Sequence, residues 1–279
     1  MCGVAGIFSS GSRDVDWKAA LHNMQWAIRH RGPDDHGVWF DQPAGIGLAH
    51  RRLSIIDLSA EGHQPMHSSG GRYVISYNGE VYNYAELMAE LREAGHVFRG
   101  HSDTEVMLAS IVEWGLDKAV SKFVGMFAFA LWDRQEHELY LVRDRIGIKP
   151  LYYCFTEHTC SFASEMKSLQ GVPGWQADID RQALGEFLRL GFIASPMSIF
   201  EGVNKLPPGH LLKVKIKHGR LKVDRLEAYW NVADVIETSR ANGPPPDQKE
   251  SLAQLGQKIS KAVSRRMIAD VPLGAFLSG

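Results

Sequence analysis

The sequence predicts a mixed α+β protein, a layered α/β arrangement of two face-packed β-sheets covered by helices. Two observations carry this. Short β-type runs alternate with amphipathic helical segments through most of the sequence. With 279 residues, 44% of them hydrophobic, the protein can fill a real core as one large or two modest domains. So many strands mixed with helices bury their apolar faces best in layers. Periodicity does not set the strand order.

Taken in order, residues 4–9 read as a strand and residues 15–29 as a helix with Ala20, Leu21, Met24, Ala27 and Ile28 on one face. Residues 37–41, 47–50 and 72–77 read as strands. Asn83 with Glu86 has the form of a capping box, opening a helix that turns Leu87 and Leu91 inward and stops at Gly95. Ser102 with Glu105 repeats the signature before a second helix ending near Trp114-Gly115. Residues 126–132 and 139–142 are strands joined by a polar turn, and 152–155 and 161–163 extend a sheet. A helix with Ala183, Leu184, Phe187 and Leu188 follows Asp180, then a proline-containing loop and a hairpin of 210–217 and 221–225 turning at His218-Gly219. Residues 238–250, with Pro244-Pro245-Pro246, read as a linker. Beyond it Leu252, Leu255, Ile259 and Val263 mark a helix face, and 271–277 read as a buried strand. There is no internal repeat.

The charge balance of 31 basic and 32 acidic side chains argues against nucleic acid or a membrane surface as the main partner. No apolar run reaches the ~18 residues of a membrane span, and the first residues lack a signal peptide's charged region. Three scattered cysteines, Cys2, Cys154 and Cys160, suit neither a disulfide framework nor a zinc cluster, and a reducing cytoplasm fits best.

Cys2 follows the initiator methionine, whose removal would put a thiol and a free α-amine on one residue. An α-amine has pKa ~8, so it can act as the base that activates the thiol. The same position also suits a small buried hydrophobe at the start of a strand. Three polar clusters accompany it. Arg51-Arg52 ends a strand ahead of the nearly apolar Leu53-Ser54-Ile55-Ile56; a guanidinium grips a carboxylate bidentately, although two surface arginines would look the same. Tyr77-Asn78-Gly79-Glu80 breaks a strand, and its amide and glycine N–H could meet an oxyanion or simply form an Asn-Gly turn. Asp103, in Ser102-Asp103-Thr104-Glu105, could bind an ammonium group or only complement a helix dipole.

The order of these motifs resembles the N-terminal part of glutamine-dependent asparagine synthetases, which are class II, N-terminal-nucleophile glutamine amidotransferases fused to an ATP-using domain. The resemblance rests on Met1-Cys2-Gly3-Val4-Ala5-Gly6-Ile7-Phe8, His30-Arg31-Gly32-Pro33-Asp34, Arg52-Leu53-Ser54-Ile55, Tyr77-Asn78-Gly79-Glu80 and Ser102-Asp103-Thr104-Glu105. It continues through Gly125-Met126-Phe127-Ala128-Phe129, residues 143–153, Ala163-Ser164-Glu165-Met166-Lys167 and Leu206-Pro207-Pro208-Gly209, so it covers essentially the whole sequence.

The resemblance implies a four-layer αββα N-terminal-nucleophile hydrolase sandwich over residues 1–237, the linker 238–250, and at 251–279 the beginning of a truncated α/β ATP-pyrophosphatase domain. Cys2 would attack the glutamine side-chain amide, with Asn78 and the Gly79 N–H as oxyanion hole. Arg52 would hold the α-carboxylate, Leu53, Ser54, Ile55 and Ile56 would line its pocket, and Asp103 would hold the α-amino group beside Glu80. The loop around Gly32 is similar to the family's glutamine lid. This half reaction needs no metal or cofactor. ATP, magnesium and aspartate belong to the synthetase half, of which only Leu277, Ser278 and Gly279 of a nucleotide loop are present. The chain alone is therefore expected to lack synthetase activity, and residues 251–279 to be poorly ordered. A homodimer is also compatible with the family. Two other readings are an amidotransferase feeding a different acceptor, such as a sugar phosphate, and a non-catalytic glutamine-binding remnant.

Overall fold

The computed structural model describes residues 1–11, 16–241, 243 and 247–275. Its elements in sequence order are β1 (Gly3–Ser9), α1 (Trp17–Ala27), β2 (Asp35–Asp41), β3 (Ile46–Arg52), β4 (Met66–His67), β5 (Tyr73–Val81), α2 (Tyr84–Glu93), α3 (Asp103–Trp114) and α4 (Leu116–Lys122). There follow β6 (Gly125–Asp133), β7 (Glu138–Arg143), β8 (Tyr152–Phe155), β9 (Thr159–Ala163), α5 (Arg181–Leu190), β10 (Val203–Lys205), β11 (His210–Lys217), β12 (Arg220–Ala228), α6 (Val232–Ala241) and α7 (Gln248–Ser264). Two 6-stranded sheets result, ordered β10-β8-β9-β1-β3-β2 and β12-β11-β7-β6-β5-β4.

Each sheet buries both faces, which sets the layer order. Between the sheets lie Val4, Phe8, Leu48, Val74, Ala130, Trp132, Leu139, Phe162 and Leu212, with the Phe8 ring edge-on to Trp132 at 5.1 Å. On the outer face of the first sheet, Leu21, Met24 and Ile28 pack on Ala5, Ile7 and Ala49. On the outer face of the second, Leu87, Leu91, Val106 and Ile111 from α2 and α3 meet Ile75, Tyr77, Phe127 and Phe129. The layers are thus αββα. A strand between two buried faces shows little apolar/polar alternation, and β1 is buried at every position.

Several expectations are corrected. The strand does not break at residues 77–80: β5 runs through Asn78 and Gly79 to Val81, because Asn78 and Gly79 pair with Ala128 and Phe127 of β6. The Asn83 side chain does not cap α2. Its Oδ1 accepts from Val124 N–H at 2.9 Å and its Nδ2 donates to the Lys122 carbonyl at 3.1 Å. At α3 half of the box forms: Ser102 Oγ accepts from Glu105 N–H, while the Glu105 carboxylate turns to the N–H groups of Arg99 and Gly100. On α5 Ala183 is buried, but Leu184, Phe187 and Leu188 remain on the surface.

Within the stretch 238–250 read as a linker, α6 reaches Ala241 and α7 begins at Gln248, while Pro244, Pro245 and Pro246 lie outside the described residues. Residues 251–264 lie in α7, which Asp247 caps through Lys249 and Glu250 N–H, and Leu252, Leu255, Ile259 and Val263 on it are exposed. Residues 271–275 form no strand and are largely exposed, having no neighbouring strand to pair with. Phe276 to Gly279, including the nucleotide-loop candidates Leu277, Ser278 and Gly279, lie outside the described residues. Among the described residues no helix is long and apolar enough to cross a membrane.

Candidate active site

The central strands of both sheets end at one cavity of about 370 Å³, lined by Cys2, Arg52, Asn78, Gly79, Glu80 and Asp103 among others. Gly3 pairs with Arg51 across β1 and β3, so Cys2 lies level with Arg52. Successive strand side chains face opposite ways. Arg51 accordingly turns out to the Trp26 ring at 5.8 Å, and Arg52 turns into the cavity. This alternation selects Arg52 from the arginine pair.

The Cys2 thiol is held by Leu53, whose N–H donates to Sγ at 3.4 Å and whose carbonyl accepts from it at 3.6 Å. Burial pushes the thiol pKa up, which the Leu53 N–H and the nearby α-amine oppose. Arg31 ties down the N-terminus, its Nε donating to the Cys2 carbonyl at 2.8 Å while its Nη1 pairs with Glu165 at 2.8 Å. Glu165 also binds His30 and Lys167. Together these partners, outweighing burial, lower its pKa to about 2. Met1 lines the same cavity, so its removal would leave the Cys2 amine there.

Asn78 is 1% exposed, and its Nδ2 makes no hydrogen bond. A buried amide without a partner is costly, so Asn78, lining the same cavity as Cys2, stands out. At Gly79 any Cβ would lie 2.2 Å from the Met126 carbonyl oxygen, which restricts this place on β5 to glycine.

The two ends of the cavity carry opposite charge. The Arg52 guanidinium donates to the carbonyls of Ser59, Ile56 and Asp57, which fix its plane. Gly62 packs so closely on this guanidinium that a side chain there would collide with it. The Asp103 carboxylate accepts from Tyr77 Oη at 2.6 Å and Val81 N–H at 2.9 Å. Burial raises its pKa against these hydrogen bonds. Glu80 is raised likewise, first by burial and then by Asp103. A carboxylate ligand group suits one end and an ammonium the other.

Leu53, Ile55 and Ile56 line the cavity as expected, but Ser54 does not; its N–H donates to Asp34 at 2.8 Å. That bond, with Asp34 N–H to the Arg52 carbonyl at 3.1 Å, fastens the Gly32 loop over Arg52. Sequence reasoning gave no role to Lys149, Gln64 or Arg31. Lys149 is 4% exposed and lines the cavity. The buried Asp144 carboxylate delivers it by accepting from the N–H groups of Phe127, Ile148 and Lys149. Gln64 bridges Tyr77 N–H and Thr104 Oγ1. Arg31 and Lys149 stand in the motifs His30–Asp34 and 143–153, neither of which hints at where these side chains point. Among the described residues no cluster of His, Cys, Asp and Glu could hold a metal ion.

Known proteins resemble this chain in sequence and in fold. Residues 1–230 match the family model for a glutamine amidotransferase domain. The chain is 37% identical over 282 residues to asparagine synthetase [glutamine-hydrolyzing] 3 of Bacillus subtilis, spanning all of this chain and 43% of that protein. It is 35% identical to a putative asparagine synthetase [glutamine-hydrolyzing] 2 of Methanocaldococcus jannaschii, again over its whole length and 55% of the relative. The chain thus spans about half the length of these relatives. The solved glutamine phosphoribosylpyrophosphate amidotransferase of B. subtilis superposes with a TM-score of 0.55 at 20% identity, over 80% of this chain and 49% of that one; the likeness is one of fold. On the match that covers residues 1–230, with an N-terminal cysteine at the mouth of a two-sheet sandwich, the chain belongs to the glutamine amidotransferase domain family.

Proposed function

We propose that this protein hydrolyses the side-chain amide of glutamine, with Cys2 as the nucleophile once Met1 is removed. The observation that carries the reading is the unpartnered Asn78 amide, buried in the cavity that also holds Cys2, between the charges of Arg52 and Asp103. The α-carboxylate of glutamine would meet Arg52 and its α-ammonium Asp103 and Glu80. The carboxamide carbon then lies toward Cys2.

The Cys2 amine takes the thiol proton, and the thiolate adds to the carboxamide carbon. The oxygen that gains charge is met by Asn78 Nδ2 and the Gly79 N–H, donors on a strand that need no rearrangement. The amine returns its proton to the departing nitrogen, ammonia leaves, and a γ-glutamyl thioester remains. Water opens that thioester to glutamate and frees the thiol.

In a full-length enzyme of this kind, ammonia would pass to an aspartate activated by ATP, with residues 1–237 serving as the glutaminase domain, 238–250 as linker and 251–279 as the beginning of the synthetase domain. The names of the two relatives and the order of motifs support this. The unpaired Cys154 and Cys160 support a reducing compartment, the cytoplasm.

The test is glutamate release from glutamine by purified protein whose N-terminus is fixed by intact mass. Release should vanish in Cys2→Ala and in a form that keeps Met1. Release that survives Cys2→Ala would overturn the assignment.

A further inference from the structure

Segment 265–270 contacts residues in or next to three of the stretches that line the glutamine cavity. Its Arg265 pairs with Glu86 at 2.8 Å, and Arg266 lies over the Tyr82 ring at 4.8 Å, both just beyond the Asn78-Gly79 end of β5. The Asp270 N–H donates to the Ile55 carbonyl at 2.9 Å. The Asp270 carboxylate accepts from Asp57 N–H at 2.7 Å and from His101 Nε2 at 2.8 Å.

These last contacts join two loops with different tasks. Residues 53–59 follow Arg52 and supply the three carbonyls that orient its guanidinium. His101 lies two residues before Asp103. Asp57 is the joint between them. It adopts φ +58, a left-handed conformation that costs a non-glycine residue free energy and persists only when its surroundings enforce it. Its own carboxylate is occupied by Ser59 and by His101 N–H, and the Asp57 N–H is taken by Asp270. Asp270 therefore holds together the carboxylate-binding and ammonium-binding sides of the cavity without entering it.

We propose that Asp270 is a positioning residue for glutamine, locking the 53–59 loop to the segment before Asp103 so that substrate affinity depends on residues 265–270 being docked. The proposal rests on the glutaminase reading above. It reaches beyond that reading, because it couples the segment that follows α7 to the glutamine cavity. Any movement of that segment would be felt first in glutamine binding. The chemical step would change little, since Cys2 lies just before β1 and the oxyanion donors lie on β5.

The test compares the parent with Asp270→Ala, Asp270→Asn and Arg265→Glu, reading KM and kcat for glutamate release together with the thermal midpoint. Loss of the Asp270 contacts should raise KM about tenfold, the equivalent of about 1.4 kcal/mol, and leave kcat within about twofold. Asp270→Asn, which keeps an acceptor for the Asp57 N–H, should recover most of the affinity. Arg265→Glu repels Glu86 and should raise KM with Asp270 intact. Unchanged KM in Asp270→Ala and Arg265→Glu would overturn the proposal. So would a kcat that falls as KM rises, alongside a lowered midpoint, which marks general structural damage. Calorimetric binding of glutamine to the Cys2→Ala protein, with and without Asp270→Ala, separates the two readings. A tenfold weaker affinity there supports the lock even if the parent proves inactive, and equal affinities refute it. A folded Cys2→Ala protein that binds no glutamine refutes both.

Discussion

Replacing Asn78 by alanine should move activity and stability in opposite directions. The Asn78 side chain is 1% exposed and its Nδ2 has no partner, so the folded protein carries the desolvation cost of a buried donor, about 1–3 kcal/mol. Deleting the amide removes that cost, and because the residue borders an open cavity the deletion leaves no sealed void to offset the gain. Some contact area is lost, so a net gain of about 1 kcal/mol is expected, raising the midpoint of a domain this size by about 2–4 °C. Activity should fall much further. One oxyanion donor is worth about 3–4 kcal/mol of barrier, or 10²–10³ in kcat, with KM little changed because the donor acts on charge that develops only in the transition state. The assay is steady-state glutamate release alongside thermal unfolding. A kcat loss below tenfold in a folded variant, or a lowered midpoint, would show that Asn78 has a partner and a structural task, and would refute the oxyanion assignment.

Two further outcomes follow from charges around the cavity. Asp103→Asn keeps an oxygen for Tyr77 Oη and Val81 N–H but loses the negative charge facing the substrate ammonium, so the fold should persist while KM for glutamine rises about 10²-fold, the effect of breaking a buried ion pair worth about 3 kcal/mol. An unchanged KM would place the ammonium site elsewhere, with Glu80 the next candidate. Glu165, depressed to about 2 in the folded state from 4.5, contributes stability that is fully present above pH 4.5 and is lost as pH falls toward 2. The shift corresponds to about 3 kcal/mol at most, and solvent around a side chain 27% exposed reduces it to about 1–2 kcal/mol. Glu165→Gln should erase that part of the acid limb in a stability-against-pH series, and a limb of unchanged height would remove Glu165 from the account.

The residues that line the candidate cavity were named from the sequence through the order of their motifs and the family it resembles, since each polar cluster alone suited a turn, a surface or a helix dipole equally well. Arg52 could be separated from Arg51 only through strand alternation, which is itself a sequence rule. The misreadings have one cause: local signals lost to distant partners. Asn78-Gly79 is a favoured turn dipeptide, yet β6 captures it as strand. Asn83 is a good helix cap, yet Lys122 and Val124 claim its amide. Nothing local marks Lys149 as buried at the cavity, because its place is set by Asp144 and by Arg143, which donates to the Lys149 carbonyl at 2.7 Å. The contacts of Asp270 with Ile55, Asp57 and His101 lie beyond any periodicity argument for the same reason.

The cavity divides by rigidity in a way that assigns kinetic roles. Cys2 precedes β1, which lies between β9 and β3 inside its sheet, and Asn78 and Gly79 belong to β5, where they pair with Ala128 and Phe127 of the interior strand β6. Groups on interior strands keep their spacing to within small fluctuations, and the nucleophile and oxyanion donors need that constancy. Arg52 stands at the last position of β3, and its guanidinium is aimed by a loop whose joint, Asp57, has positive φ. That loop is held by side-chain and end-on contacts and not by a strand ladder. Perturbations on β1 and β5 should therefore appear in kcat, and those on residues 53–59, 101 and 270 in KM. A substitution in the loop that lowered kcat alone would contradict the division, because it would mean that Arg52 acts on the reacting amide and not on the far end of the substrate.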